Sequence, residues 1–174
     1  ITQQFVKNAL DRDQKTIARK VREAALAWQL EQRWQKQRIL EAYLNTIYFG
    51  NGAYGVQQAA LTYFRKGAKE LTIAEAALLA GLPADPSRYD PVANPDQAKA
   101  RRGTVLRAML EESKITPAQF AEAHAADLPE AEKVRLPGTE GPAQHFVNYV
   151  KQQLIDEYGS ARVFGGGLEV RTTI

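Results

Sequence analysis

The chain has 174 residues, 44% hydrophobic and 25% charged: enough apolar material for one domain with a core, and too little bias for a disordered or collagen-like chain. It has no cysteine, which excludes disulfides, thiolate-bound zinc and a cysteine nucleophile without fixing the compartment. The net charge of +3 is uneven: residues 1–38 hold nine Lys or Arg against four Asp or Glu, so this lobe carries +5 and the remainder about −2. A basic lobe suits a polyanionic partner such as a phosphate, a nucleic acid or an anionic membrane surface, or else it is a solvated helix face.

No run of about 18 apolar residues occurs, so no membrane-spanning helix is expected within these residues, and no signal peptide is present. The start at Ile1-Thr2-Gln3-Gln4 without methionine reads as a piece of a longer protein.

In chain order, residues 15–32 read as a helix, with apolar positions at Ile17, Val21, Ala24 and Trp28 in steps of four, three and four. A second helix, residues 35–46, carries Ile39, Leu40, Tyr43 and Leu44. Residues 48–55 (YFGNGAYG) break the pattern with three glycines in six positions, a loop of unusual backbone angles. Helix resumes over residues 56–64. Thr72 caps the next helix, with Glu75 as the second half of a capping box, and Gly81 before Pro83 ends it. Residues 82–95 hold four prolines and form an ordered or semi-ordered loop.

Two further helices follow at about 96–112 and 117–126, the latter capped by Thr116 with Pro117 in its first turn. Residues 128–142 are a polar surface excursion, and Phe146, Tyr149, Val150 and Leu154 mark a helix ending near Gly159. Gly165-Gly166-Gly167 is a joint, and residues 168–174 alternate like a strand. The expected architecture is all-α with a short β tail at the C-terminus. Residues 1–163 read as one mainly helical domain, and 164–174 as a linker or strand leading out of it.

The residues able to carry chemistry cluster near the start. On a helical turn Gln4, Lys7 and Asn8 share one face at i, i+3, i+4 spacing, offering amide and ammonium donors suited to phosphate oxygens. Spacing alone favours an ordinary polar helix start. Arg19 and Glu23 are four apart, beside Lys20. That pattern is either an intrahelical ion pair or a carboxylate held among cations that can orient a cation or a reacting hydroxyl.

Asn45, Tyr48, Asn51 and Tyr54 around the glycine loop are equally able to contact a sugar or to pack the turn. The loop lacks the spacing of a nucleotide-binding fingerprint. His124 and His145 are isolated, so no metal site is expected from them. No acyl-transfer nucleophile motif occurs.

Taken together these segments resemble the peptidoglycan glycosyltransferase family. ITQQFVKN (residues 1–8) resembles the family's second motif and RKVREAALAWQLE (19–31) its third. KQRILEAYLNTIYFGNGAYGVQQAALTYF (36–64) is similar to the fourth, and LTIAEAALLAGLPADPSRYDP (71–91) to the fifth. The tail GGLEVRTTI resembles the junction to the transpeptidase domain of class A penicillin-binding proteins.

The resemblance implies a lysozyme-like helical fold on the outer, periplasmic face of the bacterial cytoplasmic membrane. It implies joining of the acceptor 4-hydroxyl to the anomeric carbon of the growing glycan, with release of undecaprenyl diphosphate. The implied partners are lipid II, the nascent glycan strand, the membrane surface and a covalently linked transpeptidase domain, with no nucleic acid. No cofactor is firmly implied; a divalent cation, Mg2+ or Mn2+, is compatible with the diphosphate.

By position, Glu23 and Lys20 fall on catalytic residues of the family, and Gln4, Lys7, Lys15 and Arg19 on diphosphate contacts. Lys15 stands where the family commonly has arginine, keeping the charge but losing the bidentate fork. The resemblance places the first motif, with the general-base glutamate, and the anchor helix upstream of Ile1, outside these 174 residues. The expectation is therefore an enzyme in the parent protein and an inactive fragment here; processive glycan synthesis by the fragment would overturn that. The rivals are a lysozyme-like glycan-cleaving enzyme, which needs paired carboxylates, and a non-catalytic nucleic-acid or membrane-surface module.

Overall fold

The computed structural model describes residues 1–9, 16–137, 144–159, 163 and 170–172. Among them are eight α-helices: α1 (Thr2–Ala9), α2 (Ile17–Arg33), α3 (Lys36–Thr46), α4 (Val56–Phe64), α5 (Ile73–Gly81), α6 (Pro95–Glu111), α7 (Pro117–Ala125) and α8 (Gln144–Tyr158). Short 3-10 turns at Ala68–Glu70, Leu82–Ala84 and Ala131–Lys133 lie in the connections. The strand pairing seen among the described residues is one isolated antiparallel bridge between Tyr48 and Tyr54. The expected C-terminal strand falls largely outside the described residues, and residues 170–172 are neither helix nor strand. The all-α expectation is thus met, with the β tail not seen.

The chain divides into two compact units, Ile1–Ile47 with Glu140–Ile174, and Tyr48–Thr139. In the first, α1 packs against both α2 and α3 and turns Val6 inward. Thr16 caps α2, its hydroxyl accepting the Arg19 N–H at 3.2 Å, which satisfies one of the orphan donors of the first turn. Ile39, Tyr43 and Thr46, at steps of four and three, are the buried stripe of α3.

α2 reverses the usual arrangement. Its apolar repeat faces outward, Ile17 being 86% and Trp28 65% exposed, with Val21 exposed as well. Its buried residues are Glu23 and Ala27. A repeat of that kind ordinarily marks the core face; here the inward face carries the carboxylate.

In the second unit α5 packs on α6, and α6 on α7, around Ala74, Ala77, Leu106, Ile115 and Ala123. The small residues let α5 lie close to α6. A Cβ added at Gly81 would come within 2.9 Å of the Arg101 Cγ. Thr72 and Glu75 form the expected capping box, as do Thr116 and Gln119. Arg102 is buried and donates to the carbonyls of His124, Ala126 and Asp127, capping the C-terminal end of α7.

The glycine loop of the same unit is locked from within. Gly50, Asn51, Gly52 and Gly55 all have positive φ. Any Cβ at Gly50 would meet the Tyr63 hydroxyl at 2.8 Å, so both the conformation and the space call for glycine.

Candidate functional site

The residues singled out near the start converge on the first unit. Glu23 is 2% exposed, yet both its oxygens face cations: Oε1 lies 3.1 Å from Arg19 Nε and Oε2 lies 3.1 Å from Lys20 Nζ. Helical spacing explains the trio, since i−4 and i−3 neighbours sit over the same face. The Arg19 contact is at ion-pair distance but misaligned. Arg19 Nε and Glu23 Oε1 therefore have no hydrogen-bond partner among the described residues. Burying a carboxylate without full hydrogen bonding costs free energy, and such a cost is tolerated where the charge has a task.

The task follows from exposure. The Lys20 side chain is 67% exposed while its ammonium sits on a buried carboxylate. One N–H direction is used by Glu23, and the other two point away, available to an external acceptor. Glu23 thus fixes a cation that can meet a ligand.

α1 supplies the second set of donors. Gln4, Lys7 and Asn8 are exposed on a helix that packs on α2. The Tyr43 hydroxyl donates to Gln4 Oε1 at 3.2 Å. That bond uses the amide oxygen of an exposed side chain and leaves the Gln4 NH2 as a donor. Burial raises the Tyr43 phenol above its ordinary value, so it stays a donor at neutral pH. No direct bond links the α1 side chains to the α2 trio among the described residues. Lys15 lies outside the described residues.

Tyr43 was not legible as a site residue. Its stripe with Ile39 marks it as core, and nothing local shows a partner 39 positions away.

Asn45 is exposed on α3, in the first unit; Tyr48, Asn51 and Tyr54 belong to the second. The Asn51 amide donates to Tyr63 Oη at 3.3 Å and to Asp90 Oδ2 at 3.0 Å, and Tyr63 donates to the Phe49 carbonyl at 2.9 Å. Asp90 in turn accepts the N–H groups of Val92 and Ala93, tying the glycine loop to the proline-rich loop. Burial, with the Asp90 charge second, holds the Tyr63 phenol well above its ordinary value. Asn51 is therefore engaged in holding the turn. The rings of Tyr48 and Tyr54 meet at a tilt of 39° with centroids 4.8 Å apart, Tyr48 being the exposed partner.

Comparison with known proteins decides the family. The transglycosylase family model matches residues 1–110, the segment that holds Gln4, Lys7, Arg19, Lys20 and Glu23. The chain belongs to the transglycosylase family. Among similar proteins, penicillin-binding protein 1A of Aquifex aeolicus is 42% identical over all 174 residues, which are 23% of that protein. Penicillin-binding protein 1A of Neisseria lactamica is 43% identical over the whole chain and 21% of its own length. The chain thus spans about a fifth of the relatives it matches. The crystal structure of penicillin-binding protein 1A from Haemophilus influenzae superposes with a TM-score of 0.51 at 34% identity, covering 74% of this chain and 18% of that one. The mainly helical architecture is the one a transglycosylase domain has.

Proposed function

We propose that this chain is the diphosphate-handling part of a peptidoglycan glycosyltransferase that polymerises lipid II into β-1,4-linked glycan and releases undecaprenyl diphosphate. The supporting observation is the exposed Lys20 ammonium held 3.1 Å from the buried Glu23. As the bond from the anomeric carbon to the diphosphate breaks, negative charge develops on the leaving oxygens. Fixed donors aimed at that place lower the barrier without reorganising. Lys20 and Lys7 supply charge, Gln4 supplies its NH2, and Arg19 supplies the terminal nitrogens of its guanidinium. Glu23 positions Lys20. Removal of the acceptor hydroxyl's proton is not assigned to a residue of this chain.

A lipid-linked substrate places the work at a membrane surface, here the periplasmic face, and the basic N-terminal lobe favours an anionic one. No helix among the described residues is long and apolar enough to cross a membrane. Among the described residues no three His, Asp or Glu side chains are grouped to hold a metal ion. A divalent cation, Mg2+ or Mn2+, would arrive bound to the diphosphate oxygens. The greater length of the penicillin-binding protein relatives supports a covalently linked transpeptidase domain, and the transglycosylase match supports a nascent glycan partner. The rival readings, a glycan-cleaving enzyme and a nucleic-acid or membrane-surface module without activity, gain no support from the transglycosylase match or from these relatives.

Titration of inorganic pyrophosphate, and of lipid II in detergent micelles, into the chain tests the proposal. Lys20→Ala and Lys7→Ala should each weaken binding by about tenfold. Affinity unchanged in both variants would dispose of the diphosphate reading.

A further inference from the structure

The second unit holds an open surface cavity of about 230 Å³ lined by Arg88, Tyr89, Gln97, Ala100, Arg101 and Thr104, none of which belongs to the Glu23 group. Two guanidinium groups are drawn to one ring there: the Arg88 Cζ lies 5.7 Å and the Arg101 Cζ 5.5 Å from the centroid of Tyr89. Among the described residues neither arginine has a carboxylate at ion-pair distance. Two like charges held against one ring repel, and one of them would suffice for a stacking contact.

The hydrogen-bond accounting is one-sided. Arg88 Nε donates to Gln97 Oε1 at 3.0 Å, and Arg101 Nε donates to the Gly81 carbonyl at 3.4 Å. The terminal nitrogens of both guanidiniums have no protein acceptor among the described residues. Because the Gln97 oxygen is taken, its NH2 also remains a free donor. The Thr104 hydroxyl is spent on the Ala100 carbonyl at 3.1 Å. The side-chain groups left over are therefore mainly N–H donors on cations.

Arg101 is also fixed. Its Cγ lies over Gly81, where no side chain beyond hydrogen would fit, and Arg88 is braced by Gln97. Donors held in place before a ligand arrives bind it with less loss of side-chain freedom. The volume is below the roughly 300 Å³ at which drug-sized pockets begin, so the space suits one small group.

We infer that this cavity is an oxyanion site, binding a phosphate or carboxylate group of a small ligand through the terminal nitrogens of Arg88 and Arg101. The planar forks match either oxyanion, so the shared chemistry is the oxyanion itself.

The test is a titration of the isotopically labelled chain, followed by its backbone amide signals at fixed ionic strength. Inorganic phosphate is the probe in one series and succinate in the other. The amides of Gln97, Ala100, Arg101 and Thr104 should shift saturably with at least one of them, and the anion that does so identifies the source. Arg88→Gln and Arg101→Gln should each lower that affinity by about tenfold, and Arg101→Lys by less, since it keeps the charge and loses the fork.

Arg101 packs on Gly81, so its variants are compared by melting temperature; if Arg101→Gln does not fold, the exposed Arg88→Gln decides. Lys7→Ala and Lys20→Ala should leave these shifts unchanged, which separates this site from the diphosphate reading. Absence of saturable shifts with both anions, or shifts that survive Arg88→Gln undiminished, overturns the inference.

Discussion

Tyr43 and Gln4 meet through one hydrogen bond, a buried hydroxyl donating to an exposed amide oxygen. A hydrogen bond of this kind contributes roughly 0.5–1.5 kcal/mol. Tyr43→Phe removes the hydroxyl, keeps the ring and leaves the Gln4 oxygen to water. Pyrophosphate affinity should therefore fall about two- to tenfold while folding stability changes by less than about 1 kcal/mol. Calorimetric titration beside a thermal melt checks both; a large stability loss with unchanged affinity would make the contact purely structural.

Glu75 gives a second prediction at this scale. Burial alone would raise its carboxyl, but hydrogen bonds from Lys66 and Thr72, with the Lys66 charge, outweigh it and leave the group below its ordinary value of 4.5. A depressed carboxyl contributes stability that is present above 4.5 and lost as pH falls through the lowered folded value. Wild type should therefore exceed Glu75→Gln in stability at neutral pH, and the gap should close under acid. Denaturant melts from neutrality to about pH 2 measure it; a gap constant with pH would refute the assignment.

Among the described residues two helices bury a charged side chain, α2 with Glu23 and α6 with Arg102. α7 depends on a neighbour: Arg102, buried in α6, ties down its terminal carbonyls. Arg102→Met keeps the volume but strips those carbonyls of their donors, and should cost about 2–4 kcal/mol, read from denaturant unfolding. α2 behaves oppositely at its apolar repeat. Trp28 is 65% exposed, so Trp28→Gln should change the stability of this chain by less than about 0.5 kcal/mol. A loss above about 2 kcal/mol, the size expected for a core residue, would show the stripe to be covered.

At the scale of the whole molecule, Tyr48–Thr139 is one continuous stretch that carries its own core between α5, α6 and α7, together with the locked glycine loop. Expressed alone, it should show a helical circular-dichroism spectrum and a single cooperative melt. A shallow, non-cooperative transition would mean that its core is completed by the other unit. The first unit is discontinuous, taking chain from both ends, and no such autonomy is expected of it.

Local chemistry was open to the sequence. Caps at Thr72 and Thr116, the glycine loop and the helical repeats are set by interactions within a few residues. The order of ITQQFVKN, RKVRE and the later motifs is likewise written along the chain, so both the helices and the family follow from it. Lys15 and most of the expected β tail lie outside the described residues, and residues 170–172 of that tail are neither helix nor strand. Tertiary structure alone settled that Glu23 is buried between Arg19 and Lys20 while Ile17 and Trp28 face outward, because hydrophobic periodicity locates a stripe but not what covers it. It alone paired Gln4 with Tyr43 and Asn51 with Asp90, each 39 residues apart. Those bonds exist only once packing has brought distant segments within hydrogen-bond reach, and no local preference records them.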